Sequence, residues 1–210
     1  MSGCGSILET GCTSSALSKE LARLSFLRLA LSGEAGLLLL AWALSRWLGT
    51  SPFSSLRPNA AGLLWGLGAT IPLLLGLVWM LRSKAGPVRR LIALVLEHLG
   101  PMVAEQSLAG LAALAVVAGV SEEVLFRGVI QPGLARWLPA GAALMITSLL
   151  FGLVHFASRT YAIFAALMGV YLGVLFHLAG NLFAPMIAHA AYDFVALVWV
   201  ARRYAVYPAC

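Results

Sequence analysis

The stretch Ser121-Glu122-Glu123-Val124-Leu125-Phe126-Arg127-Gly128 sets two carboxylates and a guanidinium between long apolar runs. The run before it, Leu108 to Val120, carries no charge. A charged side chain near the centre of a bilayer costs about 2.5–3.5 kcal/mol on insertion scales. Three so close together need partners or a task. On a helix Glu123 and Arg127 are i,i+4 neighbours with the acid first, the favourable order, and can neutralise each other. Glu122 points about 100° away and is left over. A carboxylate left over in apolar surroundings is a candidate general base or acid. The competing reading is a charge cluster where a helix leaves the lipid.

Two histidines extend the pattern. His155 closes the run Phe151-Gly152-Leu153-Val154-His155, near the end of an apolar segment. His189 lies in Ala188-His189-Ala190-Ala191-Tyr192-Asp193, so Asp193 follows one helical turn later on the same face. A carboxylate there can orient an imidazole. Either histidine could instead be a packing residue that hydrogen-bonds within a bundle. His177 and Asn181 form a second i,i+4 pair, but Gly180-Asn181 reads as a helix terminus. His98 reads as interfacial. The joint pattern is stronger than its parts. Glu122/Glu123, His155 and His189/Asp193 fall on three apolar segments, and one shared polar cluster accounts for all of them.

The elements that must hold these residues are membrane helices. Hydrophobic residues make up 61% of the 210 and charged residues 10%, with a mean hydropathy of +0.93. Soluble domains carry about 25% charged residues. The expected fold is all-α, a polytopic transmembrane bundle of about six spans. These spans are roughly Leu24–Leu48, Ala60–Leu81, Met102–Trp137, Gly141–Ala157, Tyr161–Gly180 and Leu182–Val200. Pro72 should kink the second, and the third is long enough to be tilted or bent. Val88–Leu99 is too short to span and reads as an interfacial helix. The chain divides into an N-terminal cytoplasmic segment 1–20 expected to be flexible, N-terminal spans with a basic loop over 21–100, and a catalytic core over 101–203.

The net charge of +6 and pI of about 9.7 do not form a basic stripe, so a nucleic-acid partner is not expected. The basic residues instead mark topology. Lys19, Arg23, Arg28, Arg82, Lys84, Arg89, Arg90, Arg159, Arg202 and Arg203 fall on the side of the termini, against Arg46, Arg57 and Arg136 opposite. This bias puts both termini in the cytoplasm. Cys4, Cys12 and Cys210 make no disulfide framework. The first twenty residues do not resemble a cleaved signal peptide.

Glu122-Glu123-x-x-x-Arg127, then Phe151-x-x-x-His155, then His189-x-x-x-Asp193, resemble the motifs of the CAAX-protease and bacteriocin-processing family, also called Abi, of intramembrane endopeptidases. Gly180-Asn181-Leu182-Phe183-Ala184-Pro185 resembles the family's lead-in to its last motif and selects His189 over His177. The resemblance covers about Glu105 to Val200. Asp193 departs from the asparagine of the eukaryotic members, while bacterial-looking relatives resemble this chain in having aspartate.

The resemblance implies that Glu122, with His155, activates a water for attack on a peptide carbonyl. His189 would donate to the oxyanion. Asp193 would orient His189, and Glu123 with Arg127 would be mainly architectural. It favours a glutamate-type mechanism with no metal cofactor. The alternative is Zn2+ on His155, His189 and Glu122, a plausible catalytic set, although the compact H-E-x-x-H arrangement is absent. The expected partners are a peptide or protein substrate and the lipid bilayer of a bacterial-type inner membrane. Leader or bacteriocin processing, self-immunity and C-terminal trimming are the expected roles. Two rival functions use the same residues: a transporter or channel with a polar pathway, and a non-catalytic scaffold. Paired broken helices in two halves, which would favour a transporter, are not seen.

Overall fold

The computed structural model describes the backbone of residues 6–206 and the side chains of residues 23–206. The expectations for segment 1–20 and for the three cysteines lie outside the described side chains. The helices are α1 (Ser6–Leu48), α2 (Ala60–Arg82), α3 (Gly86–His98), α4 (Gly100–Ala104), α5 (Leu108–Leu134), α6 (Ala140–Val154), α7 (Arg159–Ala179) and α8 (Phe183–Val206). Stretches of α1, α2, α5, α7 and α8 are long and apolar enough to cross a membrane. The protein is a multi-pass helical membrane bundle. Leu64, Ile71, Leu75 and Trp79 of α2 are exposed, as expected of a face turned to lipid.

Local chemistry sets the helix ends. The side chains of Asn59, Ser107 and Ser158 each accept a backbone N–H in the first turn of α2, α5 and α7, which satisfies an otherwise orphaned donor. α7 ends at Gly180, whose φ of 57° is left-handed and suits a residue without a Cβ. Asn181 then ties the turn down. It accepts from the N–H groups of Arg57 and Phe183 and donates to the Arg57 carbonyl.

Two expected spans come out differently. The third was to begin near Met102 and include Glu105. Ser107 instead starts a new helix, so Glu105 falls in the break after the short α4. The fourth is α6, only 15 residues, or about 22 Å at about 1.5 Å per residue, less than the roughly 30 Å of a hydrocarbon core. α6 nevertheless reverses the chain. Leu144 lies against Gly173, Ser148 against Gly169, and Gly152 against Ala162 and Ala166, an antiparallel pairing along most of α7.

α5 is the most enclosed of the five long apolar stretches and α1 the least. α1 runs parallel to α5. Gln106 bonds the Arg23 carbonyl, Leu27 lies against Gly110, Ser121 meets Glu34 and Leu48 meets Gly133. α8 runs antiparallel on the other side of α5. A Cβ on Gly119 would lie 2.9 Å from the Ala190 nitrogen, so glycine there sets how closely the two helices approach. α5 is not α-helical throughout. Val124–Ile130 is a π-helical segment, the wider i→i+5 form that tends to occur at functional sites. Loop 49–59 closes over it. A Cβ on Gly128 would collide with the Pro52 carbonyl oxygen.

Candidate active site

Glu122 and Glu123 are the last α-helical residues of α5 before the π segment. Both are buried, Glu123 fully. Arg127 is fully buried too. Its Nη1 donates to Glu123 Oε1 at 2.6 Å and its Nη2 to the Gly169 carbonyl of α7 at 2.8 Å. Its guanidinium carbon sits 4.9 Å from the centre of the Phe151 ring, within cation–π range.

Glu123 Oε1 has a second partner. His189 Nδ1 donates to it at 3.0 Å; a carboxylate only accepts, so the proton lies on Nδ1. Glu123 therefore holds the imidazole as well as the arginine. Asp193 approaches the other nitrogen, with Oδ2 3.4 Å from His189 Nε2. The geometry thus gives Glu123 the contact that orients His189, because α8 presents Nδ1 to α5 and leaves only Nε2 for the residue one turn later. Glu123 is more than the architectural partner of Arg127.

His155 is the residue just past the end of α6. Its Nδ1 donates to the Phe151 carbonyl at 2.8 Å, so in the neutral ring Nε2 is an acceptor. Phe151 serves as a platform. His155 stacks on it with centroids 4.6 Å apart, while Phe126 and His189 meet it edge-on at 4.9 Å and 6.0 Å. Tyr161 of α7 packs edge-on against His155 at 6.1 Å.

The structure brings Glu122, His155, His189 and Asp193 together. Glu122 Oε2 lies 3.6 Å from His155 Nε2 and 3.9 Å from His189 Nε2. Those separations are too long for direct hydrogen bonds, and Oε2 has no hydrogen-bond partner. The cluster is reached from the side of His155 and Asp193, whose side chains are 24% and 28% exposed, against 4% for His189. Among the described residues, no group of three or more His, Cys, Asp or Glu side chains is arranged to hold a metal ion. His98 and His177 are exposed and lie outside the cluster.

Sequence reasoning missed Glu34. It is the only charge between Arg28 and Arg46 in α1, and an intramembrane carboxylate is a functional signal in its own right. The Ser121 hydroxyl donates to Glu34 Oε2 and also lies within bonding distance of the Val117 carbonyl. Tyr161 carried no signal beyond its place at a helix start.

Removing Arg127 would leave Glu123 buried with a single partner. Breaking a buried pair in this way costs about 3–5 kcal/mol. Arg127→Met should therefore lower stability by about that amount in detergent denaturation, and Arg127→Met with Glu123→Gln by clearly less. Equal losses in the two variants would mean that the charge on Glu123 is not what Arg127 balances.

Comparison with known proteins places part of the chain beside a described family. Residues 104–195 match the family model described as Rce1-like, type II CAAX prenyl endopeptidase Rce1-like. A curated relative, the uncharacterized protein YpbD of Bacillus subtilis (strain 168), is 33% identical over 85 residues, 39% of this chain and 41% of that protein. The match thus spans about two fifths of the relative's length. No solved structure matches the chain. Glu122, Glu123, Arg127, Phe151, His155, His189 and Asp193 all lie within the matched segment, and Glu34 lies outside it. The segment 104–195, which carries Glu122, Glu123, Arg127 and both histidines of the cluster, is thus similar to the Rce1-like family.

Proposed function

We propose that this protein is an intramembrane endopeptidase in which Glu122 and His155 activate a water against a peptide carbonyl. The observation that carries this is the unpartnered Glu122 Oε2, which lies 3.6 Å from His155 Nε2. One water can donate a hydrogen to each at ordinary bond lengths. Its lone pairs then face away from both, towards a substrate. As the water oxygen bonds to the carbonyl carbon, Glu122 takes a proton from it. The same proton can go to the amide nitrogen when the C–N bond breaks, which returns Glu122 to its starting state. His189, carrying a second proton on Nε2, would donate to the oxyanion. Glu123 on Nδ1 holds the ring in register, and Asp193 balances its charge at the substrate side.

Substrates would be peptides or proteins cut near the membrane, at a C-terminus or leader. Bacteriocin processing or immunity fall within the same chemistry. The prenyl group in the family's description is a substrate feature to be tested on this chain. We propose that the reaction needs no metal, since two imidazoles and a free carboxylate suffice to move the protons. We also propose a cell-membrane location with cytoplasmic termini, on the basic-residue bias. That side is also where α6 ends, so the site would open towards the cytoplasm.

Glu122→Gln keeps shape and hydrogen bonding but removes the basicity. It should lower cleavage of an anchored, quenched fluorescent peptide by at least about 10²–10⁴-fold, with folding intact. Glu123→Gln should lower thermal stability and retain some cleavage. If Glu123→Gln is dead but stable while Glu122→Gln still cleaves, the roles are reversed. Dialysis against a chelator should leave activity unchanged; loss restored by zinc would refute the metal-free mechanism. A reporter fused after Cys210 should behave as cytoplasmic, and periplasmic activity would overturn the topology.

A further inference from the structure

The Glu122 carboxylate does no bonding that would fix Oε2 in place, yet a base must stand within a fraction of an ångström of its working position. Its neighbours are anchored instead. Glu123, on the residue after it, is tied through Arg127 to α7 and through His189 to α8. Ser121, on the residue before it, is fully buried and meets Glu34 of α1. Successive residues project about 100° apart on a helix. The two anchors therefore grip α5 on either side of the direction in which Glu122 points, and together they set its rotation.

We propose that Glu34 is a positioning residue for Glu122, acting through the Ser121 hydroxyl, so that α1 is a working part of the active site and more than an anchor. The proposal rests on Glu122 as the base. It makes the site depend on a helix outside the Rce1-like segment. The parallel packing of α1 on α5, held at Arg23–Gln106 below and Leu48–Gly133 above, keeps Glu34 level with Ser121. A carboxylate in mid-span has no water to satisfy it, so Ser121 is a strong partner there.

The test uses the full chain in liposomes with a quenched fluorescent peptide bearing a prenylated C-terminal cysteine motif. The variants are Glu34→Leu, Glu34→Gln, Ser121→Ala and Glu34→Leu/Ser121→Ala. A small displacement of a catalytic group can cost about a hundredfold in rate. Glu34→Leu should thus lose about that much in kcat, with KM nearly unchanged. Ser121→Ala should lose a similar amount, and the double variant no more than either single one. Glu34→Gln, which can still bond Ser121, should recover most of the rate. A second readout needs no substrate: carbodiimide labelling of Glu122, followed by mass spectrometry, should rise severalfold in Glu34→Leu while the exposed Glu97 is unchanged. Wild-type kcat in Glu34→Leu, multiplying losses in the double variant, or unaltered Glu122 labelling would each overturn the proposal. Cleavage surviving in Glu122→Gln would instead count against Glu122 as the base.

Discussion

The buried ion pair of Glu123 and Arg127 is the constraint on which the rest of the site depends. Taking two ions out of water carries an effective penalty of several kcal/mol each, and their attraction offsets it only if the remaining polar atoms find partners. Here Arg127 Nε and Glu123 Oε2 stay without a hydrogen-bond partner, and the contacts that offset the rest come from three other helices. α7 offers the Gly169 carbonyl, α6 the face of Phe151, and α8 the His189 ring. Satisfying one pair thus draws α6, α7 and α8 around α5. The same contacts that neutralise the pair put the two histidines within reach of Glu122.

Adjacency then divides the labour between the glutamates. Neighbouring residues on a helix cannot face the same partner, so the carboxylate that meets Arg127 and His189 cannot also be the one that meets His155. Glu123 is consumed by structure and Glu122 is kept in reserve. The π segment begins immediately afterwards. It widens the helix at Arg127 while the pair still closes, and Gly128 leaves room for the loop that covers it. A buried free carboxylate is expensive in an apolar bundle.

The short α6 completes the arrangement. A helix that crossed the whole bilayer would carry its end away from the cluster. Because α6 stops after Val154, His155 sits at its very end, with Nδ1 bonded to the last turn and Nε2 turned inward to Glu122. The break also leaves His155 and Asp193 as the exposed rim of an otherwise buried group. Small residues on α7 let α6 approach closely enough for the ring of Phe151 to meet Arg127, Phe126, His155 and His189.

Much of this was legible in the chain itself. Apolar length marked the helices, since a bilayer leaves few other ways to satisfy a backbone. The i,i+4 spacing of Glu123 and Arg127 predicted their pairing, because that contact is local. The motif order singled out Glu122, His155, His189 and Asp193. What the sequence could not determine were the long-range choices. Nothing in the spacing said that His189 would turn Nδ1 to Glu123, that Ser107 would begin a helix and leave Glu105 behind, or that Glu34 would reach Ser121 from 87 residues away. Those contacts depend on how helices rotate and slide against one another. Rotation is set by packing and by the need to satisfy each buried charge, and neither quantity is written in a local pattern.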